Sequence, residues 1–120
     1  MSNLAQQVLT HAAALPEGAS LSAKALLHLG SESYAVPIMR EIHQRTGREV
    51  ARAAVYIALK RLEAKALLTS RIGDATTERG GHVKRFFKLT KAGARQLRQS
   101  REEFVRMWVD AERLLDKAAR

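Results

Sequence analysis

Leu4, Val8, Ala12 and Leu15 recur at helical spacing, and Pro16-Glu17-Gly18 closes the stretch, which predicts a short helix over residues 3–15. Ser20 or Ser22 is placed to cap a following helix, with Ala25, Leu26 and Leu29 facing inward and Gly30 closing it. The "SESY" of 31–34 reads as a turn. Pro37 fits the first turn of the next helix, where its missing N–H costs little. Ile38, Met39 and Ile42 form that helix's apolar stripe, and Gly47 follows its end. In "ARAAVYIALKRLEAKALL", Val55, Ala58, Leu59, Leu62 and Ala66 share one helical face. The opposite face carries Ala53, Tyr56, Ile57 and Lys60, with Arg52 near the start.

The period then changes. "LLTSRI" (67–72) and "VKRFFKL" (83–89) read as two strands of a hairpin, joined by the polar loop "GDATTERGGH". A long helix is expected from about residue 91. Its Leu97, Arg101, Phe104, Trp108, Ala111, Leu115 and Ala118 step alternately by four and three, a heptad seam with a polar interruption at Arg101. A chain this short has nothing to cover such a seam except its N-terminal helix or a second copy. The resulting fold class is mainly α with a small two-stranded β-hairpin: a winged helix-turn-helix plus a long C-terminal dimerisation helix. It divides into an N-terminal helical extension (1–19), a winged-helix domain (20–90) and the dimerisation helix (91–120).

Composition narrows the function. The chain has 120 residues, enough for one modest core. It has no cysteine, which removes disulfides, thiolate metal sites and thiol nucleophiles. No apolar run approaches the ~18 residues of a membrane span, and the first residues lack the pattern of a signal peptide, so a cytoplasmic location is expected. The net charge of +9 is unevenly placed: residues 40–101 hold 16 Lys/Arg against five acids, while each end is near neutral. A basic middle of this kind points to a polyanion partner; the plainer alternative is a solvated basic surface. His11, His28 and His43 share no metal-ligand spacing. Glu102 and Glu103 are adjacent and so diverge on a helix. No nucleophile triad order, phosphate-binding loop or dinucleotide glycine motif is present. Neither an enzyme nor a cofactor is expected.

A recognition helix needs one apolar face to dock and a small or polar face to enter the major groove. Residues 52–65 offer both. Ala53 permits close approach, Arg52, Tyr56 and Lys60 can reach base edges or phosphates, and Ile57 can meet a thymine methyl. Arg48, just before the helix, stands either for a phosphate contact or for ordinary surface; Arg61 for a contact or an ion-pair partner. One of Phe86 and Phe87 should pin the hairpin to the core. Arg79, His82, Lys84 and Arg85 then lie along the backbone or minor groove, and Gly80-Gly81 supplies a turn that lets N–H groups approach phosphate.

"AVYIALKRLEAKALL" resembles the recognition helix of PadR-like transcriptional regulators, "GHVKRFFKLTKAG" is similar to that family's wing, and "IMREIHQRTG" looks like its second helix. The resemblance spans about residues 23–115. The family's Ser before the recognition helix is Ala51 here, and the Gly soon after it is Ala53. The Gly between helix and wing is Ala66, the wing Pro is Val83, and the Gly-Tyr-Glu-Ile of the second helix is Ala35-Val36-Pro37-Ile38. The resemblance implies a homodimeric regulator of transcription, usually a repressor, that binds double-stranded DNA and dimerises through its single terminal helix at Leu97, Phe104, Trp108, Ala111 and Leu115. It also implies a small aromatic or cationic effector near Trp108; the alternative for Trp108 is plain core packing. A second functional class stays open: a winged-helix module that recruits another protein or binds RNA, without a DNA operator.

Overall fold

The computed structural model describes residues 17–73 and 83–120. The helix expected over 3–15 and the wing tip, with Arg79, Gly81 and His82, lie outside the described residues. The first helix, α1, runs Glu17–Leu29. It starts before either serine expected to cap it. Ser22 is 1% exposed inside the helix, and its hydroxyl donates to the Gly18 carbonyl at 3.0 Å, so its polarity is satisfied one turn back. Glu17 and Gly18, read as a break, belong to the first turn of the helix.

Helix α2, Ala35–Thr46, buries Ile38 and Ile42, with Met39 packed alongside. Gly47 ends it with φ 74°, the left-handed conformation that glycine adopts without strain, and its N–H bonds the His43 carbonyl at 2.8 Å. Thr46 ties down the turn that follows. Its hydroxyl donates to the Ile42 carbonyl at 2.7 Å and accepts from the Arg48 N–H at 3.1 Å. Helix α3, Arg52–Ala64, buries Val55, Leu59 and Leu62. Ala66 does not join that face as its spacing suggested. It lies past the helix end at φ 62°, where Ala66 N–H bonds the Glu63 carbonyl at 2.9 Å and Leu67 N–H the Leu62 carbonyl at 3.0 Å. That is a Schellman closure with alanine in the glycine position.

Strands β1 (Leu68–Ile72) and β2 (Arg85–Leu89) pair antiparallel, from Leu68 opposite Leu89 to Ile72 opposite Arg85. The "SESY" segment is more than a turn. Ser33 exchanges both backbone hydrogen bonds with Phe87, at 3.0 and 2.7 Å, as a one-residue third strand. Phe87, 0% exposed, is the aromatic that pins the hairpin, among Ile38, Leu59, Leu62 and Leu68.

The C-terminal part differs from the single long helix expected. Helix α4 is Lys91–Trp108, and α5 is Ala111–Ala118. Between them Asp110 sits at φ 65°. A β-branched valine followed by aspartate is a weak continuation of a helix, and aspartate tolerates the left-handed region better than most residues. The heptad register stops there. Leu97, placed on the dimer seam, is 8% exposed within its own domain's core. Thr90 caps α4, accepting the Gly93 N–H at 2.9 Å and donating to the Leu67 carbonyl at 3.0 Å. This draws α4 so close that a Cβ on Gly93 would overlap the Leu67 carbonyl oxygen and lie 2.8 Å from Leu89 Cδ1.

Two stability predictions follow from these junctions. Gly93→Ala is expected to destabilise by about 1–3 kcal/mol despite alanine's better helix propensity, because the obstacle is backbone; thermal unfolding checks it. At the ends of α3, Ala51 offers the first turn no side-chain cap and Ala66 holds a strained φ. Ala51→Ser is expected to add about 0.5–2 kcal/mol and Ala66→Gly about 1 kcal/mol. The two sites are far enough apart for the gains to add in denaturant titrations.

Candidate nucleic-acid interface

Burying Val55, Leu59 and Leu62 leaves the other side of α3 outward. Ala53, Ile57 and Lys60 lie opposite the docking stripe, and Arg52, Ala53, Tyr56, Ile57 and Lys60 are all exposed. The five sequence-predicted residues of this helix therefore share one surface. Tyr56 is not wholly without packing: its ring meets Phe87 edge-on at 6.1 Å, leaving 39% of the residue exposed. Its apolar body is held by the core while its hydroxyl-bearing edge is at the surface. Arg48 is exposed in the turn before α3, its backbone fixed by Thr46 and by His43, whose Nδ1 lies 3.4 Å from the Arg48 carbonyl oxygen.

Tyr56 and Glu63, seven residues apart, share the flank of α3 turned toward the hairpin. There a polar chain joins helix to wing. Lys60 Nζ donates to Glu63 Oε1 at 3.0 Å, the Ser70 hydroxyl donates to Glu63 Oε2, and Arg85 donates to Ser70 Oγ at 2.9 Å. The Ser70 hydroxyl and the Lys60 ammonium hold the Glu63 carboxyl below the usual carboxylate range. Arg85 is thus half-buried and engaged at the base of the wing. Lys84 is engaged on the opposite face of the hairpin, its ammonium 4.9 Å from the Tyr34 ring centre.

The outer face of the hairpin carries a second cluster. Tyr34 meets Phe86 edge-on at 5.4 Å, and the Arg71 guanidinium lies 5.0 Å from the Phe86 ring centre. Glu32 accepts from Arg71 through both oxygens, which lowers its pKa. These contacts tie the α1–α2 turn to β1. Sequence reasoning passed over Glu63, Ser70, Tyr34 and Arg71. The signals were available: Glu63 stands three residues after Lys60, and strand alternation puts Ser70 beside Phe87 on the core side and Arg71 beside Phe86 on the other.

Beyond Leu97 the seam residues are uncovered. Phe104, Trp108 and Leu115 are exposed and Ala111 half-buried; Phe104 and Trp108 form a ring pair at 6.1 Å. Val105, Trp108 and Val109, with Asp110, Glu112 and Asp116 and the cations Arg113 and Arg120, border an open cleft where α4 meets α5. Among the described residues no cluster of His, Cys, Asp or Glu could hold a metal ion, and no helix is long and apolar enough to cross a membrane.

Known structures share this architecture. A PadR family transcription regulator from Clostridium difficile R20291 matches with TM-score 0.63 at 20% identity, over 88% of this chain and 100% of its own. One from Eggerthella lenta DSM 2243 matches with TM-score 0.66 at 20% identity, over 93% and 91%. F93 from STIV, described as a winged-helix DNA-binding protein, matches with TM-score 0.57 at 18% identity, over 71% and 84%. These likenesses establish the fold. No curated protein matches the sequence. The model of the transcriptional regulator PadR-like family matches residues 25–99, more than half of the chain, from the last turns of α1 through the hairpin into α4. The chain belongs to the PadR-like family of transcriptional regulators and has a winged-helix fold.

Proposed function

We propose that the protein is a cytoplasmic repressor that binds a palindromic operator as a homodimer, with α3 in the major groove and the wing on the adjacent backbone or minor groove. The observation that carries this reading is the outward surface of α3. Arg52, Ala53, Tyr56, Ile57 and Lys60 combine cations, a hydrogen-bonding aromatic, an apolar contact and a small residue at the point of closest approach. This surface sits in the segment of net charge +11, where 16 basic residues face five acidic ones. In this reading Arg48, in the turn before α3, and Lys84 and Arg85, at the base of the wing, add backbone contacts. Arg79, Gly81 and His82 of the tip complete the set of DNA contacts in this reading.

The homodimer is supported by what the protomer leaves uncovered. Phe104, Val105, Met107 and Trp108 are exposed on the last turns of α4, Met107 at 79%, Val109 is exposed just past its end, and Leu114 and Leu115 are exposed on α5. A contiguous apolar surface of this kind marks an interface. Phe104, Trp108, Ala111 and Leu115 contribute in this reading; Leu97 supports the seam from inside the core. A small aromatic or cationic effector would stack on the Phe104–Trp108 pair, beside a cleft in which Asp110, Glu112 and Asp116 are largely offset by Arg113 and Arg120.

Selection of binding sites from a random duplex pool tests the operator. Enrichment of a palindrome with half-sites about one helical turn apart is the expected result; a pool that stays random removes the operator reading. Tyr56→Ala combined with Lys60→Ala is expected to abolish binding to the selected site while leaving the oligomer unchanged, checked by electrophoretic shift and sedimentation. Trp108→Glu is expected to give monomers in sedimentation, because the dimer would bury an unpaired carboxylate.

A further inference from the structure

Glu63 is an acid placed beside the DNA-facing surface of a strongly basic domain. Like charge to DNA makes it a liability there unless it has another task. It does not point outward: Lys60 faces the groove side, and Glu63 lies on the flank turned to the hairpin, with its side chain 27% exposed. One of its oxygens holds Lys60 and the other receives Ser70, which in turn receives Arg85. A single carboxylate therefore engages, directly or through one hydroxyl, two of the cations that the proposed interface would use.

We propose that Glu63 is a specificity-determining residue that touches no DNA. It withholds Lys60 and Arg85 from arbitrary phosphates and releases Lys60 only when a base edge competes for it. This rests on the operator-binding reading above. On a random duplex, a phosphate must displace the carboxylate and also meets its repulsion. At the operator, a directional hydrogen bond to a base replaces the one Lys60 gives up. The Lys60–Glu63 pair is partly exposed and individually weak, so either contact can break it; the discrimination comes from the Glu63 charge, which repels an anionic phosphate at Lys60 but not a neutral base edge. The chain through Ser70 also fixes the angle between α3 and the wing, so the carboxylate has positioning and screening roles at once; only the screening role affects the salt response.

The test is Glu63→Gln in the full-length protein, read as affinity against salt for a random-sequence duplex and for the selected operator. Glutamine preserves the size and the acceptor oxygen but removes the charge. Non-specific affinity is expected to rise about three- to tenfold near 0.1 M salt. The log–log salt slope should steepen by about 0.9 for each cation released, one for Lys60 and a second if Arg85 follows. The operator-to-random ratio should fall. Parallel salt plots with an unchanged ratio would overturn the proposal. So would a parallel loss of both affinities with a lower melting temperature, the signature of a purely structural residue. Lys60→Gln in the otherwise native chain gives an independent reading that does not depend on the Glu63 variant folding. If Glu63 withholds Lys60, this change alters the random-duplex slope by less than about half of the 0.9 expected for a free cation; a full change of about 0.9 sinks the idea. Absence of any duplex binding by the native protein would instead remove the DNA reading itself, an outcome distinct from parallel slopes.

Discussion

Phe87 is where the parts of the domain meet. Its side chain is fully buried among residues of α2, α3 and β1, its backbone exchanges two hydrogen bonds with Ser33, and its ring supports Tyr56. Emptying such a site costs about 3–5 kcal/mol, a large part of the ~5–15 kcal/mol that holds a domain of this size together. The consequences go beyond stability. The same ring fixes how far Tyr56 stands from α3. The same backbone joins the α1–α2 turn to the sheet, and so sets where the wing leaves the domain. An error in the seat of Phe87 would therefore propagate to every group on the outward surface.

This arrangement was partly legible in the sequence. The apolar stripes of α2 and α3 predicted which faces dock, because a helix bordering a core must repeat every three or four residues, and Ile38, Ile42, Val55, Leu59 and Leu62 do so. The alternation in "RFFKL" placed one phenylalanine inward, though it left open which. Three features were not legible. Ser22 looked like a cap because serine favours that role, and nothing local revealed that its hydroxyl would be satisfied by Gly18 inside a longer helix. Ser33 became a strand only because Phe87, 54 positions further along, offered its backbone. Ala66 matched the periodicity of α3, yet the chain had to turn there for β1 to begin. Each is a tertiary decision that overrides a local preference.

The outward surface shows the same division. Periodicity alone placed Arg52, Ala53, Tyr56, Ile57 and Lys60 together, since five residues on one helix have no freedom to be elsewhere. The wing was harder. Lys84 and Arg85 read as free cations along a basic strand, but in the fold one packs on Tyr34 and the other on Ser70. A count of positive charges thus overstates how many of them stand unengaged at the surface. The Glu63 carboxylate adds to this: in a region of net charge +11 it holds Lys60 directly and reaches Arg85 through Ser70, pairings that composition does not reveal.

The ends of α3 add a constraint on how that surface is aimed. Ala51 supplies no cap, and Ala66 occupies a conformation better suited to glycine. Local chemistry therefore contributes little to where the helix starts and stops. Its position depends on the three buried side chains beneath it and on the Glu63–Ser70 bond at its flank. A helix held by packing more than by its caps can have its angle altered by changes in the core, without loss of the helix itself. The start of α4 touches that core through Leu97 and Gly93, while its exposed end carries the Phe104–Trp108 pair. One rigid helix thus joins the apolar surface open to a partner with the packing that aims α3. The exposed end of α4 is connected, through packed contacts, to the helix that carries Arg52, Tyr56 and Lys60 outward.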